Sequence, residues 1–312
     1  MPSNIAPFSQ PGQFWRGNIH THSTLSDGKL DPPEVIAAYA DAGYDFMVLS
    51  DHFIGHYNWP VADTRKLRTG TFTTIIGAEV HAPKTSVGEL WHIVAAGLPL
   101  DFPPCGENET GAELARRAAE AGAFVGIAHP AWSQLTIEDG HSIDAAHAVE
   151  IYNHGCAVEN DRGDGWYLLD QMLNDGKRLT AFATDDAHFH DHDRDAFGGW
   201  IHVKSESLDP DTLLTAMKAG HFYASQGPQI FGLSIADDHV EIECSPVDVV
   251  SVVCGNSRSA VSRGRSMTQA RLDLSGLDRG WLLEKPSDWY RIVLIDGDGR
   301  RAWTNPVWRD TI

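Results

Sequence analysis

Cysteine is scarce in this sequence, and long apolar runs are missing from it. The 312 residues include four dispersed cysteines, at positions 105, 156, 244 and 254, and none of them forms a Cys-x-x-Cys pair. Such cysteines are typical of a reduced compartment and argue against a thiolate zinc site. No segment approaches the roughly 18 consecutive apolar residues of a membrane-spanning helix, and the first residues show no basic segment followed by an apolar run. We therefore expect a cytoplasmic protein without a membrane partner.

Positive charge is the second shortage. Lys and Arg total 24 against 43 for Asp and Glu, so the formal net charge is −19. A field of that sign repels the phosphates of nucleic acids, and the sequence has no basic stripe with interleaved aromatic residues. We therefore expect no nucleic-acid partner. A small anionic substrate is still compatible with this charge, because bound metal ions can invert the local field.

Alternating strand and helix patterns extend from about residue 14 to residue 226. The first predicted helix follows Asp31, with Pro32 in its first turn and Glu34 placed to close a capping box, and it ends at Gly43. Residues 18–22 are predicted to be the end of a first short strand, and short apolar runs predict strands at 46–50, 73–79, 91–96, 123–128, 148–152, 178–183 and 199–203. Further helices are predicted at 109–121, 166–174 and 209–220. About eight strands in such an alternation predict a mostly parallel sheet that forms a closed or nearly closed (β/α) barrel.

The pattern changes after residue 226. Residues 229–312 lack helical periodicity, and they contain apolar segments at 230–235, 240–244, 249–253 and 290–295. A hairpin-type turn, Asp296-Gly-Asp-Gly299, follows the last of these segments. We therefore predict an α/β protein in three parts: an N-terminal extension at 1–13, an α/β barrel at 14–226 and a small β-rich C-terminal domain at 227–312.

Histidine is abundant, with 16 copies, and many of them fall near the ends of predicted strands together with carboxylates. These residues are His20, His22, Asp51, His52, Glu79, His92, His129, Glu150, Asp185, Asp186 and His188. Unpaired histidines and carboxylates are poor strand residues and costly to bury, so their repetition at six strand ends predicts a metal cluster. This donor set, without thiolates, suits Zn²⁺, Mn²⁺ or Fe²⁺. His190, His192 and Asp193 follow in an acidic loop and are predicted to be solvated loop residues, with a lid over the site as the alternative.

Five ordered segments carry a resemblance to a known superfamily. They are Asn18-Ile-His-Thr-His-Ser-Thr-Leu-Ser-Asp-Gly28, Leu49-Ser-Asp-His52, Gly77-Ala-Glu79, Ile127-Ala-His-Pro130 and Thr184-Asp-Asp-Ala-His188. As a group they resemble the motifs of the polymerase and histidinol phosphatase (PHP) superfamily of metallohydrolases, over roughly residues 17–226. Downstream segments, among them Glu150-Ile-Tyr-Asn153 and Tyr223-Ala-Ser-Gln-Gly-Pro228, resemble its carbaryl-hydrolase-like branch. The resemblance implies a distorted (β/α)7 TIM-like barrel with two or three metal ions.

Carried over position by position, the resemblance implies nine metal ligands. The first ion would be held by His20, His22, Glu79 and Asp186. Glu79 would bridge to a second ion held also by His92 and His129. The third ion would be held by Asp27, His52 and His188.

The last motif departs from the superfamily's usual Gly-Ser-Asp-x-His, because Asp185 stands at the serine position. Asp186 is assigned as the ligand since it keeps the Asp-x-His spacing. Asp185 and Asp51 are then expected to contact ligands rather than ions. Asp27 replaces the histidine of some members, which suits a harder ion such as Mn²⁺.

Such a centre predicts hydrolysis, because two adjacent cations lower the pKa of a bridging water and generate hydroxide near neutral pH. The first hypothesis is a phosphoesterase that cleaves a small phosphomonoester or phosphodiester. His154 and His81, just beyond ligand-bearing strands, are the candidates to protonate the leaving group, and the alternative for each is a hydrogen bond that supports a ligand. Few cations lie near the motifs, which favours a second hypothesis, a carbamate, carboxylic-ester or amide hydrolase. A third is a non-catalytic metal-binding interaction module. The sequence predicts neither substrate-binding residues nor an oligomeric state.

Overall fold

The computed structural model of this protein describes residues 3–190, 194–236, 238–277 and 286–311; His192 and Asp193 lie outside these ranges. The elements up to residue 225 are β1 (Ser3–Asn4), β2 (Gln13–Asn18), α1 (Pro32–Asp41), β3 (Phe46–Leu49), β4 (His52–Phe53), β5 (Thr73–Ala82), β6 (Trp91–Ala96), α2 (Gly111–Glu120), β7 (Phe124–Ile127), α3 (Ile137–Ser142), β8 (Ala148–Asn153), α4 (His154–Asn160), α5 (Trp166–Asn174), β9 (Thr180–Thr184), β10 (Trp200–Ser205), α6 (Pro210–Lys218) and β11 (Phe222–Ser225). The later strands are β12 (Ile230–Ala236), β13 (His239–Cys254), β14 (Ser259–Asp273), β15 (Trp289–Ile295), β16 (Arg301–Thr304) and β17 (Val307–Trp308).

Helix α1 begins and ends where its local sequence predicts. Asp31 and Glu34 form a capping box, in which the Asp31 backbone N–H donates to Glu34 Oε2 at 2.9 Å. The helix stops before Gly43, whose φ of +79° is a left-handed conformation that glycine adopts without strain. Between these ends α1 buries Val35, Ile36 and Tyr39 in a core that it shares with β3.

Ladders of hydrogen bonds join the seventeen described strands into one sheet. The pairs β2–β3, β3–β5, β4–β5, β7–β8 and β8–β9 are parallel, whereas β6 is antiparallel to both β5 and β7. Residues 83–90 join β5 to β6 without a helix, so β6 folds back beside β5; a parallel neighbour would need a crossover of a dozen or so residues.

The sheet does not close. Strand β10 pairs antiparallel with β2 and β11, and in the described part of the chain no ladder joins β10 to β9, although these two strands lie side by side. The prediction of an α/β fold with a large sheet is therefore confirmed, whereas a closed (β/α)7 barrel is not. No helix among the described residues combines the length and the apolar character that crossing a bilayer requires.

The strands after residue 229 form long antiparallel ladders around an apolar core of their own. Strand β13 pairs with β12, β14 and β15, and the strands predicted at 240–244 and 249–253 are parts of this one strand. Strand β14 lacks a predicted counterpart because nearly all of its 15 residues are partly or fully exposed. Strand β11 continues into this region by pairing with β16, so the division at residues 226 and 227 remains a prediction.

Apolar packing fixes the strands whose ends carry polar residues. One core packs β5, β6, β7 and β8 against α2 and α5, and another packs β2, β3 and β10 against α6. The parallel strands β3, β8 and β9 present their C-terminal ends at one edge of the sheet. Because β6 is antiparallel, His92 reaches the same edge from the beginning of its strand, opposite His81 of β5.

Candidate metal centre

The structure brings all nine sequence-predicted ligands into one cluster at this edge. Each member has a side-chain nitrogen or oxygen atom within 3.5 Å of an atom of opposite type on another member. The nine residues are His20, His22, Asp27, His52, Glu79, His92, His129, Asp186 and His188. Five of them, His20, His22, Glu79, His129 and Asp186, have side chains that are at least nine-tenths buried, and only Asp27 exposes more than a third of its side chain, at 38%.

Glu79 lies at the centre of the cluster and is fully buried. Its Oε1 lies 2.8 Å from His92 Nδ1, 3.2 Å from His129 Nε2 and 3.4 Å from His20 Nε2. Its Oε2 lies 2.6 Å from His52 Nδ1 but accepts no hydrogen bond from the part of the chain that the structure describes. Burial raises the pKa of Glu79, but the surrounding histidines, His92 first, hold it well below its usual range. Glu79 is therefore an anion that faces several imidazoles at once.

Asp186 faces the same space from the loop after β9. Its Oδ1 lies 2.9 Å from His22 Nε2 and 3.2 Å from His20 Nε2, and its Oδ2 accepts from Asn153 Nδ2 at 3.0 Å. Its φ of +53° is a left-handed conformation that few non-glycine residues adopt, and the backbone N–H of Asp186 donates to the His20 carbonyl at 2.9 Å. Strained backbone of this kind is common where a side chain must be aimed at a site.

Asp27, His52 and His188 form the outer part of the cluster. Asp27 Oδ2 lies 3.4 Å from His52 Nε2, and its Oδ1 lies 3.5 Å from His188 Nε2. His188 Nδ1 is 2.9 Å from the Asp186 carbonyl, which can only accept, so Nδ1 carries the proton and Nε2 of the neutral ring offers a lone pair to Asp27.

Buried carboxylates outside the nine hold these ligands in place. Glu150, fully buried, accepts from His20 Nδ1 at 3.1 Å, from the His129 backbone N–H at 2.6 Å and from the Thr184 hydroxyl. Sequence reasoning placed Glu150 at a strand end without giving it a role, although a carboxylate inside the apolar run 148–152 was the available signal. Asn153 joins Glu150 to Asp186 by donating to both.

Asp51 and Asp185 contact the loops that carry ligands. Asp51 accepts from the Ser23 backbone N–H at 2.7 Å and from the hydroxyls of Ser23 and Ser26, and so fixes the loop that leads from His22 to Asp27. Asp185 accepts from the backbone N–H groups of Gly198 and Gly199 at 2.7 and 2.9 Å. Within the described part of the chain, neither carboxylate forms a hydrogen bond or an ion pair with one of the nine residues, in keeping with a supporting position.

Three buried polar atoms of the cluster have no hydrogen-bond partner in the described chain: His20 Nε2, Asp27 Oδ1 and Glu79 Oε2. His20 Nδ1 already donates to a carboxylate, so Nε2 of the neutral ring points its lone pair at the oxygens of Asp186 and Glu79. Burial lowers the pKa of His20, but Asp186, Glu150 and Glu79 raise it well above its usual value. The site thus binds a proton when no other cation is present, and its donors fit a divalent metal ion.

The residues form four overlapping groups, and within each group the ligand atoms lie within 4.8 Å of one another. They are His22, Asp27, His52 and His188; His52, Glu79, His81 and His92; His20, His22 and Glu79; and His20, His129 and Asp186. Nitrogen and oxygen donors in this mixture fit Zn²⁺, Mn²⁺ or Fe²⁺.

The two candidates for a general acid lie apart from the open side of the cluster. His154 Nδ1 is 2.9 Å from the Tyr152 hydroxyl, and the ring lines a different cavity, together with Arg16 and Trp200. His81 is buried, with Nδ1 3.0 Å from the Trp91 carbonyl and Nε2 2.9 Å from His52 Nδ1. The structure therefore does not bring His154 to the cluster, and it occupies both ring nitrogens of His81.

A cavity of about 530 Å³ opens above the cluster. Trp132 forms one wall, its ring centroid 5.0 Å from that of His129 and 5.4 Å from that of His92, and Val158 adds a second apolar surface. Arg194 is the one Lys or Arg on this lining in the described part of the chain. The cavity can therefore take a small molecule that is apolar on one side and anionic on the other.

Comparison with known proteins bears on the fold. No protein-family model matches this chain, and no curated protein matches it significantly. A two-domain protein from Bacteroides vulgatus, containing a predicted PHP-like metal-dependent phosphoesterase, aligns over 98% of both chains with 15% identity and a TM-score of 0.53. At that identity the alignment supports a shared fold over nearly the whole chain.

Two further structures align over part of the chain. One is a proposed metal-dependent phosphoesterase from Bifidobacterium adolescentis, with 13% identity, a TM-score of 0.41 and coverage of 59% of this chain and 89% of its own. The other is an amidohydrolase from Chromobacterium violaceum, with 14% identity, a TM-score of 0.41 and coverage of 55% and 87%.

Proposed function

We propose that this protein is a metal-dependent hydrolase, and specifically a phosphoesterase that cleaves a small phosphomonoester or phosphodiester. One observation carries the metal dependence: fully buried His20 Nε2 has no hydrogen-bond partner among the described residues and lies 3.2 and 3.4 Å from the carboxylates of Asp186 and Glu79. An imidazole lone pair beside two anions is unfavourable unless a cation lies between them. The PHP resemblance of the motifs agrees with this reading.

The nine residues would hold two or three divalent ions in the arrangement that the resemblance implies. His20, His22, Glu79 and Asp186 would hold the first; Glu79, His92 and His129 the second; and Asp27, His52 and His188 the third. The distances above are compatible with this division, because each group shares at least one nitrogen–oxygen contact of 3.5 Å or less. When bound, such ions supply an activated water near neutral pH and neutralise charge that develops on the substrate.

The protein's own residues orient the substrate and its reaction partners. Arg194, on the cavity lining, would pair with an anionic group of the substrate, while Trp132 would pack against its organic part. Glu150 keeps the proton of His20 on Nδ1, so that Nε2 stays available to an ion. Positioning and charge neutralisation are the main requirements of phosphoryl transfer.

A second candidate is hydrolysis of a carbamate, carboxylic ester or amide at the same centre. The observation that favours it is the cavity lining. Trp132 and Val158 provide apolar surface there, and Arg194 is the one Lys or Arg among the described residues that line the cavity. Phosphate-binding pockets commonly offer several cationic donors. The two candidates differ in substrate class and share the metal site.

The test is a substrate panel given to the purified protein loaded in turn with Mn²⁺, Zn²⁺ and Fe²⁺. The panel contains p-nitrophenyl phosphate, a bis-aryl phosphodiester, a naphthyl carbamate, an aryl ester and an anilide. We expect turnover of a phosphoester that Asp186→Asn abolishes and Asp144→Asn, the same change at an exposed carboxylate paired with Lys177, preserves. Turnover of the carbamate, ester or anilide alone would favour the second candidate. Tight metal binding without any hydrolysis would favour a non-catalytic module.

A further inference from the structure

His81 is a buried histidine that contacts the cluster but is not one of the nine implied ligands. It lies on β5 two residues after Glu79 and is only 4% exposed. In the described part of the chain it is not among the residues that line the cavity above the cluster. Its contacts nevertheless join a backbone carbonyl to one of the nine.

The hydrogen bonds of His81 determine where its proton lies. Nδ1 is 3.0 Å from the Trp91 carbonyl, and a carbonyl can only accept, so Nδ1 carries the proton. Nε2 of the neutral ring then has a lone pair and must accept in its 2.9 Å contact with His52 Nδ1. That contact requires the proton of His52 to be on Nδ1, which leaves Nε2 of the neutral His52 ring unprotonated.

His52 Nε2 faces the outer part of the cluster, 3.4 Å from Asp27 Oδ2. His188 presents its own Nε2 to the other oxygen of Asp27, because its Nδ1 donates to the Asp186 carbonyl. Two backbone carbonyls, those of Trp91 and Asp186, thus set both imidazoles to offer Nε2 to the same place. The Asp186 carbonyl accepts directly from His188, whereas the Trp91 carbonyl acts on His52 through His81.

We propose that His81 is a positioning residue: it fixes the His52 tautomer whose Nε2 binds the ion held with Asp27 and His188. The role rests on the proposed metal centre. Of the two roles that the sequence leaves open for His81, it takes the supporting hydrogen bond rather than the leaving-group acid, since both ring nitrogens are used inside the protein. Because His81 Nε2 carries no proton, it donates nothing to Glu79 Oε2, which is 3.5 Å away; that oxygen also lies 2.6 Å from His52 Nδ1, outside hydrogen-bond geometry.

The test compares three variants of the full chain. His81→Gln keeps an acceptor near the position of Nε2, and His81→Leu removes it. His202→Leu controls for the loss of a buried histidine, because His202 is 7% exposed and lies on β10. The readouts are Mn²⁺ stoichiometry and affinity by calorimetry and elemental analysis, and the NMR signal of the His52 Nδ1 proton in the metal-free protein.

In His81→Leu we expect the affinity for one Mn²⁺ to fall by about 10- to 100-fold, the usual effect of removing the partner of a metal-binding histidine. His81→Gln should restore most of the affinity, and His202→Leu should not change it. The His52 Nδ1 proton should be downfield and protected from exchange in the wild type and in His81→Gln, and neither downfield nor protected in His81→Leu.

Equal Mn²⁺ affinity in His81→Leu and the wild type would overturn the proposal, and so would failure of His81→Gln to restore it, which would make His81 itself a ligand. If the wild type binds no ion, the proposed function fails, and the NMR signal then decides the role of His81 on its own. A His52 Nδ1 proton that is indifferent to His81→Leu would refute the role in that case.

Discussion

Two buried regions of this protein use burial in opposite ways. In the strands after residue 229, Val250, Val252, Ile292 and Leu294 are completely buried among other aliphatic residues, and each such side chain contributes roughly 1.5–3 kcal/mol to stability. At the strand ends, the equally buried side chains are imidazoles and carboxylates, whose desolvation costs free energy. The apolar region stabilises the fold, whereas burial of the polar region lowers stability and keeps ligand atoms available to ions. Substitutions in the apolar region should therefore lower the free energy of unfolding, whereas substitutions in the polar region should lower metal binding and activity.

Asp186→Asn should have the largest functional effect. It removes a negative charge that faces His20 and His22 and should lower kcat/KM by about 100- to 1,000-fold, as the loss of a group that stabilises charge at a reaction centre does. Circular dichroism and melting temperature should stay close to those of the wild type. Global unfolding of this variant would show that the cluster is structural and would remove the contrast between the two regions.

Leu294→Ala tests the other side of the comparison. Leu294 is completely buried on β15, so the truncation should lower the free energy of unfolding by about 2–5 kcal/mol. Denaturant titration measures this loss. Metal content and kcat/KM per folded molecule should be unchanged, and a selective loss of bound metal without a loss of stability would contradict the assignment of this region to stability.

Glu150→Gln should have an intermediate effect, because it changes a supporting contact and leaves the nine residues in place. The amide keeps the shape of the side chain but loses the negative charge that polarises His20 through Nδ1. Metal affinity should fall by about 10- to 100-fold. Calorimetric titration with Mn²⁺ measures this affinity. The matched control is Glu159→Gln, the same change at a carboxylate that lines the cavity above the cluster. Equal affinities for Glu150→Gln and the control would refute the supporting role.

His202→Phe should have the smallest effect and concerns a buried histidine outside the cluster. Burial first, and Arg16 second, lower the pKa of His202 to about 3, and its Nε2 accepts from Trp200 Nε1 at 2.9 Å. As the pH falls below 6.5 the unfolded chain takes up a proton that the folded protein does not, so the wild type loses stability. Between pH 6.5 and about pH 5.5 this loss is about 1 kcal/mol.

The Phe variant should lack that part of the acid destabilisation. Denaturant titrations of both proteins at the two pH values measure the difference. The same pH dependence in both would show that His202 is protonated in the folded protein or solvated in it. That result would remove the contrast between buried histidines that face carboxylates and one that faces Trp200 and Arg16.

Local sequence signals predicted most of the elements that position the site. Helix α5 has the predicted bounds, and α1 begins with its predicted capping box, because caps and apolar periodicity act over a few residues. The antiparallel course of β6 was not predicted, since strand direction depends on how the loop 83–90 folds back. Strand β14 was missed because its exposed residues show no apolar alternation, and pairing with β13 stabilises it instead.

The membership of the cluster was predictable, and its internal contacts were not. Polar residues such as Glu79 stand out where an apolar strand should continue, so the sequence alone marks them. The contacts of Glu150 and His81 depend on distances between residues that are far apart along the chain, such as the 3.1 Å from Glu150 Oε1 to His20 Nδ1. The distance of His154 from the cluster has the same cause: its position next to β8 is local, but the direction of its side chain is set by contact with Tyr152.

The most direct test of the metal centre is anomalous X-ray diffraction from crystals of the Mn²⁺-loaded protein. We expect two or three strong anomalous peaks within bonding distance of the nine residues, the first beside His20 Nε2, and loss of that first peak in Asp186→Asn. A structure of the loaded protein with no peak at this cluster, or with peaks held only by residues elsewhere, would contradict this expectation.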